Sequence, residues 1–580
     1  METDLRPALK TGFLGAVTVI YVSMVGMIET FGQRDMINGV ISLGLTLLIL
    51  IMTGTGFMAA RALDRLLNPV HEPERVILPR SRAVRSGALG GLLVGFGIAL
   101  LVLLDSVVGL REVFVNVSPA MIEIVTFGLG SIVGAVVLVV LGTLLGILGG
   151  WTYVLPNETR QPIVMGFLWL AFIGMLSDLI RVSLSRPGFP PFLSRIFTTS
   201  NGLTAVGAIT VIAIIVAWTL YGRRRRKATS EQVSEIPTTR QRNRRLLRQG
   251  AIVLLLLLLP LIVGVFPSEV LVNIGLYVLM GFGINIVVGM AGLLDLGYVA
   301  FFAVGAYAMA FMTTAQDVLG GPQISFWLAL PIVIAITGFA GLLVGAPVLR
   351  MRGDYLAIVT LGFGEIARFL ALSDWFKPVL GGAQGIIKIP DISIGGLEII
   401  GPQKLYYLFL IGSVIALFIS WRIKDSRVGR AWMAMREDEQ VADAMGINTV
   451  YYKLLAFAMG AMIASVSGAL FAAKLGTIFP HSFNVLVSIT ALSLLIVGGI
   501  GSLPGVIVGA VVLVGLPELL REFSEFRLLL YGALLIVMMI VRPEGFLPSV
   551  RRARELVEED REQDLVFAVE EPAVAAGNPE

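Results

Sequence analysis

Two oppositely charged residues, Glu365 and Arg368, stand within an apolar stretch in the second half of the chain. A charged side chain inside hydrocarbon costs about 3 kcal/mol or more unless it is paired. Residues three positions apart share a helix face, so these two side chains can form an ion pair there. The sequence leaves two explanations open. The pair is either a polar site along a transport pathway or a structural link between helices, and the structural link is favoured.

The densest polar segment is the stretch 422–453, called the charged loop below. It carries six Lys or Arg and five Asp or Glu residues between two apolar stretches, so it must lie in water. Ser426 is a candidate N-cap and Gly446 a candidate C-terminal stop, which predicts a helix between them. A structured, charged surface between membrane spans is a place where a second protein could apply force.

Most catalytic chemistry is poorly supported by the residue types. The chain has no Cys and two His, which argues against disulfides, thiolate metal sites and His-rich metal clusters. The phosphate-binding pattern G-x-x-x-x-G-K-[S/T] is absent, and no His accompanies a Ser and an Asp in a plausible triad. We therefore predict a protein that is not an enzyme, with no metal site and no cofactor of its own.

Composition places these residues in a membrane protein. The chain is 56% hydrophobic and 14% charged, against roughly 25% charged residues in soluble proteins. This balance predicts an all-α, polytopic transmembrane bundle of about 14–16 spans. The predicted spans are Gly12–Thr30, Val40–Phe57, Gly87–Leu104, Ala120–Leu148, Ile163–Ile180, Leu203–Tyr221, Ala251–Phe266, Val270–Val288, Leu296–Thr313, Phe326–Leu349, Tyr355–Leu372, Leu405–Trp421, Leu454–Ala473, Val485–Val497, Pro504–Leu519 and Phe526–Val541.

Charge changes divide the chain into four segments. Residues 1–221 form an extra N-terminal bundle of about six spans, and 222–249 is a basic linker with ten Lys or Arg against two acids. Residues 250–547 form the second bundle, and 548–580 is an acidic tail predicted to be disordered. The positive-inside rule puts both termini, the linker and the charged loop in the cytoplasm. The basic run suits a topology anchor near membrane lipids, and nucleic acid is not an expected partner.

Two glycine-rich segments interrupt the apolar spans. Each holds a pair of glycines three residues apart, Gly289 with Gly292 and Gly498 with Gly501. Broken helices in corresponding positions of two halves are typical of transporter pathways. Tight turns at the membrane surface explain the same glycines equally well.

Five motifs in the second bundle resemble one family. They are RGDYLAIVTLGFGEI (352–366), GGAQGI (381–386), SRVGRAWMAMREDE with ADAMGI (426–447), YKLLAF (452–457) and GGIGSLPGVIVGA (498–510). In this order they are similar to the LivM-type permease subunits of branched-chain amino acid ABC transporters, over about residues 270–547. Residues 1–245 depart from the pattern, since six added spans exceed what the resemblance places.

The resemblance implies a permease subunit in a prokaryotic plasma (inner) membrane. Its implied partners are a LivH-like second permease, two cytoplasmic LivG/LivF-like ABC ATPases and an extracytoplasmic substrate-binding protein. ATP and Mg²⁺ would bind on the ATPases. Residues 426–447 correspond to the loop that docks on an ATPase. The residues expected to serve that coupling are Arg427, Arg430, Arg436, Glu437, Asp438 and Gly446.

Substrate and pathway are less constrained. The resemblance favours branched-chain or other small amino acids, with urea and short amides as alternatives. The polar groups expected nearest the pathway are Asn285, Asp295, Tyr298 and Thr360, although each could instead serve helix-to-helix hydrogen bonds. Two other functions stay open: an ion-driven secondary transporter, suggested by the glycine breaks and Glu365 with Arg368, and a membrane enzyme or scaffold built on the N-terminal bundle.

Overall fold

Helices form almost every regular element of the computed structural model, which describes residues 2–68, 78–185, 197–199, 202–230, 239–316, 320–348, 351, 354–519, 526–542 and 544–548. Among these residues, ten helices are long and apolar enough to cross a membrane, and four shorter apolar helices accompany them. Together they reach the lower end of the predicted range. The all-α, polytopic fold is therefore confirmed. The chain divides into two compact units, Met1–Arg244 and Arg245–Glu580.

The first unit is built on long helices joined by short ones. Its helices are α1 Glu2–Met24, α2 Met27–Gly32, α3 Leu43–Leu67, α4 Arg80–Val108, α5 Pro119–Thr126, α6 Ser131–Val154, α7 Asn157–Met175, α8 Ser177–Leu184 and α9 Ala205–Ser230. Strands β1 Asp35–Ile37 and β2 Ile41–Ser42 pair antiparallel between α2 and α3. The division at residue 244 falls within the next helix, α10 Thr239–Val263.

Backbones in the first unit approach closely where α4 meets α6. A Cβ built on Gly146 would lie 2.8 Å from the Cα and 2.9 Å from the N of Gly91, and against the carbonyl oxygen of Gly87. A Cβ built on Gly91 would likewise overlap the backbone atoms of Gly142 and Gly146. Small residues are what allow such contact in a bilayer, where dispersion rather than water expulsion holds helices together.

The predicted span Ala120–Leu148 is wrong as a single helix. The chain leaves the helical conformation between α5 and α6, because Phe127, Gly128 and Gly130 all have positive φ, of 56°, 72° and 78°. Ser118 caps α5 by accepting a hydrogen bond from the backbone N–H of Met121 at 3.0 Å. Apolar composition continues across this break, so hydropathy alone does not reveal it.

The second unit continues with thirteen more α-helices in its described residues. They are α11 Val265–Ile284, α12 Val299–Thr313, α13 Phe326–Val348, α14 Asp354–Leu372, α15 Lys377–Leu380, α16 Pro402–Lys424, α17 Arg427–Glu437, α18 Glu439–Ala444, α19 Thr449–Leu475, α20 Val485–Gly498, α21 Leu503–Ala510, α22 Leu516–Leu519 and α23 Arg527–Val541. A short hairpin, β3 Ser393–Ile394 with β4 Leu397–Glu398, lies between α15 and α16.

The core of the second unit lies among α11, α12 and α19. Small residues again allow contact: a Cβ on Gly305 of α12 would lie 2.5 Å from the Cα of Ser465 on α19. Phe302 packs on Phe471 with ring centroids 5.1 Å apart. The core is therefore built on close helix contacts filled by aromatic rings.

Two helices of this unit widen into π-helical turns. Asn285–Met290 continues α11, and Val511–Gly515 joins α21 to α22. Such turns are rare and are frequent at functional sites. The first one leads directly into the non-helical connection 291–298, and α20 ends at the second glycine-rich segment.

A methyl group at Gly146 tests the close contact of α4 with α6. We expect Gly146→Ala to lower the free energy of unfolding by about 1–3 kcal/mol, because the new Cβ overlaps the backbone of α4. SDS titration of the purified chain, followed by tryptophan fluorescence, measures this. Gly54→Ala in α3 is the matched control, because no atom lies within 4 Å of the position that its Cβ would take. Equal stability of the two variants would contradict the packing argument.

Candidate functional site

The charged loop folds as two short helices on a buried anchor. Ser426 caps α17 by accepting from the N–H of Gly429 at 3.3 Å, as predicted. Trp432 is fully buried, and its indole N–H donates to the carbonyl oxygen of Tyr452 at 2.8 Å. The loop is therefore held rigidly against the start of α19.

The expected single helix to Gly446 is broken at Asp438. The Asp438 backbone is extended, and its carboxylate accepts hydrogen bonds from the N–H groups of Gln440 at 2.8 Å and Val441 at 3.1 Å. Asp438 thus ends α17 and caps α18, which makes its carboxylate a structural group as well as an exposed one. Gly446 follows α18 with a φ of +85°, which suits the predicted stop.

The charged side chains of the loop point in two directions. Arg427, Arg430, Glu437 and Asp438 are exposed to solvent. Lys453 is buried and pairs with Glu439, with Nζ 2.7 Å from Oε1. The exposed set forms an outward surface, and the buried pair ties α18 to α19.

Arg436 points inward. Its Nη1 donates to the carbonyl oxygen of Gly289 at 2.6 Å, and Lys424, at the end of α16, donates from Nζ to the carbonyl oxygen of Gly501 at 3.3 Å. Asn285 joins the two glycine segments, because its Oδ1 accepts from the N–H of Gly501 at 3.0 Å. Lys424, just before α17, and Arg436, in the last turn of α17, therefore each hold one glycine break, and we call these contacts the cation clamp.

The glycines of the clamp have conformations or neighbours that a side chain would disturb. Gly292 has a φ of +72° and Gly501 a φ of +79°. A Cβ on Gly292 would lie 2.7 Å from Cγ of Arg436, and a Cβ on Gly289 would lie 2.9 Å from the N of Gly501. Glycine is thus required here for close backbone approach to the clamp. Gly498, the fourth predicted glycine, packs against the carbonyl of Gly505.

A cavity of about 430 Å³ opens between the first glycine segment and the charged loop. Its walls come from residues 291–294 and from 435–440, with Lys453 at one side. The wall is polar, with carboxylates from Glu437 and Asp438. The first glycine break and the exposed surface of the loop therefore line the same cavity.

Asp295, Tyr298 and Thr360, three of the expected pathway groups, lie buried next to this region. The Tyr298 hydroxyl donates to the carbonyl oxygen of Gly460 at 2.9 Å, and the Thr360 hydroxyl accepts from the N–H of Leu296 at 3.0 Å. Asp295 Oδ1 accepts from the N–H of Gly297 at 2.9 Å, whereas Oδ2 has no hydrogen-bond partner. These groups join the connection 291–298 to α14 and α19.

Asp295 lies in the connection 291–298, outside the spanning helices. Its burial changes the pKa of its carboxyl group. Loss of hydration raises the pKa of its carboxyl from the ordinary value of 3.8 to about 7, although hydrogen bonds with Gly297 and Thr360 act in the opposite direction. Burial thus favours the protonated, uncharged form of this carboxyl. This is consistent with its partnerless oxygen atom.

Glu365 and Arg368 form the ion pair that their spacing predicts, with Arg368 Nη2 2.7 Å from Glu365 Oε2. Their side chains are 28% and 23% exposed, so the pair does not face a sealed interior. The Arg368 guanidinium also lies 4.8 Å from the ring centre of Phe369. These contacts stabilise α14 locally.

Several residues of the site were missed from the sequence. Lys424 and Lys453 were counted as part of a charged loop, and nothing in their spacing shows that they point inward. The described residues contain no group of three or more His, Cys, Asp or Glu side chains that could hold a metal ion.

The arrangement as a whole is that of a membrane permease. Apolar helices form the bundle, two of them are interrupted by glycine segments, and a structured charged loop outside the apolar spans is tied to both interruptions.

Comparisons with known proteins identify the family. Residues 266–541 match the model described as branched-chain amino acid transport system / permease component. The chain is 40% identical, over 299 residues, to the high-affinity branched-chain amino acid transport system permease protein LivM of Salmonella typhimurium and to that of Escherichia coli. Each alignment covers 48% of this chain and 68% of the relative. LivH of Salmonella typhimurium is 27% identical over 48% of this chain and 93% of its own length. No solved structure matches the chain.

The chain therefore belongs to the LivM-type family of branched-chain amino acid transport permeases, and the resemblance found from its motifs is confirmed. It is a multi-pass protein of the plasma membrane and not an enzyme. The match to the family model lies within the second unit.

A methyl group at Gly292 tests the contact with Arg436. We expect Gly292→Ala to cost about 1–2 kcal/mol for its left-handed backbone, and up to about 3 kcal/mol more if Arg436 is displaced from Gly289. Gly446→Ala is the control, because its φ is +85° and no atom lies near its Cβ position. SDS titration of both purified variants gives the difference. Equal losses would show that Arg436 is not held against Gly292.

Proposed function

We propose that this chain is one permease subunit of an ATP-driven ABC importer for branched-chain or other small amino acids. A second, LivH-like permease completes the pathway. Two ABC ATPases supply the energy through the charged loop, and an extracytoplasmic binding protein delivers the substrate. The relatives named LivM and LivH, both branched-chain amino acid transport permeases, support the pairing of two such subunits.

The observation that carries this proposal is the cation clamp. The ATPase must move the membrane helices through a surface that it can reach, and α17 offers exposed Arg427 and Arg430. The same helix ends in Arg436, whose 2.6 Å hydrogen bond holds the first glycine break. A movement of α17 is therefore transmitted to the bundle across one charged hydrogen bond.

Residues 1–221 are proposed as an accessory bundle, with 222–249 as its connection to the permease core 250–547. Charged groups in the first unit serve local contacts: Glu29 accepts from the Ser118 hydroxyl at 2.7 Å, and Asp64 accepts from the Tyr153 hydroxyl at 2.6 Å. Within the acidic tail 548–580, residues 549–580 lie outside the described residues.

An ion-driven secondary transporter is the alternative that needs exclusion. It predicts uptake by this chain alone in liposomes under an ion gradient. The importer instead predicts no uptake after both ATPase partners are deleted. Uptake that persists in vesicles without those ATPases would overturn the proposal. A permease for urea or short amides would be revealed by the substrates that compete for uptake.

Charge reversal on the exposed face of α17 tests docking. We expect Arg427→Glu with Arg430→Glu to reduce ATP-dependent uptake by roughly tenfold or more, because like charges at an interface cost several kcal/mol. Chain insertion should be unchanged. Uptake and ATP hydrolysis are measured in proteoliposomes of the whole complex.

The control for this double variant is Arg80→Glu with Arg85→Glu, two exposed arginines of α4. These changes reverse the same number of charges on a helix that lacks the proposed docking surface. Uptake unchanged from wild type in the α17 variant would mean that the charged loop is only a solvated connector.

Removal of the clamp tests whether movement of α17 reaches the glycine breaks, separately from whether the ATPases dock on α17. We expect Arg436→Met with Lys424→Met to leave the ATPases bound while uptake falls by roughly tenfold, because charged hydrogen bonds are worth about 1.5–3 kcal/mol each. Co-purification reports docking, and the ratio of substrate moved to ATP hydrolysed reports coupling.

Lys404→Met supplies a matched control at the other end of α16. Lys404 also donates to a backbone carbonyl, that of Glu398 at 3.2 Å, but far along the helix from either glycine break. If the clamp variant and this control have the same ratio of substrate moved to ATP hydrolysed, movement is not transmitted through Lys424 and Arg436.

A further inference from the structure

A second cavity, of about 350 Å³, opens on the surface of the second unit beside the exposed side chains of Leu486 and Ile489. One wall is the first half of α20, from Asn484 to Ser493. Tyr277 of α11, Leu513 and Val514 of the second π-helical turn, and Leu535 of α23 complete the lining. This volume lies within the range of small-molecule sites, about 300–1,000 Å³.

The lining has two chemical characters. Aliphatic side chains supply most of the surface, among them Leu486, Ile489 and Leu513. Uncharged polar groups supply the rest: the phenol of Tyr277, the amide of Asn484 and the hydroxyls of Thr490 and Ser493. The polar residues Thr490 and Ser493 are three positions apart, so they project from one face of α20.

This combination selects for a ligand without net charge and with an aliphatic part. A ligand of net charge would meet no charged partner among these lining residues, and an unpaired charge at membrane depth is costly. A zwitterionic amino acid carries no net charge. Amide and hydroxyl groups can hydrogen-bond both its ammonium and its carboxylate. The aliphatic wall would then cover a branched side chain.

The cavity wall is mechanically joined to the cation clamp. The helix that lines the cavity, α20, ends at Gly498, and the segment after it contains Gly501. Gly501 is held by Lys424 at its carbonyl and by Asn285 at its N–H. The clamp therefore contacts the segment that directly follows the helix lining the cavity.

The residues first expected near the pathway do not line this cavity. Asn285, Asp295, Tyr298 and Thr360 are buried elsewhere in the unit. Ser488, on α20 itself, is also turned away from it, because its hydroxyl accepts from the N–H of Val299 at 2.8 Å. Thus Ser488 serves packing within the unit, whereas Thr490 and Ser493 line the cavity. The Thr490 hydroxyl donates to the carbonyl oxygen of Leu486 at 2.8 Å, so its oxygen can only accept from a ligand.

We propose that this cavity binds the transported aliphatic amino acid as a zwitterion, within the membrane part of the permease. The proposal rests on the function proposed above and adds the place of binding. Asn484 and Ser493 hold the polar end of the amino acid. The Thr490 oxygen, whose hydrogen is donated to the carbonyl oxygen of Leu486, accepts from the ammonium. The side chains of Leu486, Ile489 and Leu513 hold the aliphatic end.

The absence of Cys from the chain makes a direct test available. Ser493→Cys places a single thiol in the cavity of the whole complex, and a methanethiosulfonate reagent measures its accessibility. L-Leucine bound in the cavity should slow labelling by about tenfold at ten times its dissociation constant. Lysine, which carries an extra charge, should not slow it.

Ser106→Cys is the matched control, because it makes the same substitution at an exposed position of α4. Its labelling should be the same with and without leucine. Blocking the cavity with Ser493→Phe should abolish leucine uptake while the ATPases remain bound. Ile411→Phe, at an exposed site on α16, should leave uptake unchanged.

The outcomes separate the two proposals. A complex that takes up leucine with ATP but shows no protection of Ser493→Cys overturns the cavity and leaves the importer intact. Protection by added phospholipid and not by leucine also overturns it, since a lipid chain is then the occupant. A complex that takes up no amino acid overturns the importer, and the cavity proposal falls with it.

Discussion

The cation clamp supplies hydrogen-bond partners to the backbone groups that are left free where a helix is broken. Where a helix stops, its terminal carbonyl and N–H groups lose their partners within the helix and need others. Here Arg436 and Lys424 supply donors to the carbonyls of Gly289 and Gly501, and Asn285 accepts from the N–H of Gly501. The breaks exist because these side chains satisfy them. Lys424 precedes α17, and Arg436 lies in the last turn of α17, the helix that carries the exposed arginines.

Much of the fold follows from composition and spacing, because apolar length and helix caps are local properties. The apolar spans, the Ser426 cap and the pairing of Glu365 with Arg368 all come from short-range patterns. The break at Phe127 does not, since the residues around it are as apolar as those of a continuous span. The break at Asp438 depends on hydrogen bonds from the N–H groups of Gln440 and Val441 to its carboxylate. The charged residues of this segment do not by themselves predict these bonds.

The site was less predictable than the fold, because the direction of a side chain depends on distant residues. The sequence predicts that Arg436 contacts an ATPase together with Arg427 and Arg430. Its hydrogen-bond acceptor, the carbonyl oxygen of Gly289, lies far earlier in the chain. The pathway role expected for Asp295 and Tyr298 stays a prediction. Both side chains are buried, whereas Thr490 and Ser493 line the second cavity.

The glycine contact between α4 and α6 has a consequence for biogenesis. This contact needs no residue beyond position 154, because Gly87 and Gly91 meet Gly142 and Gly146 within the first unit. Helices that recognise each other by shape alone can associate as soon as both have left the translocon. The N-terminal unit can thus mature while the ribosome is still synthesising the permease helices.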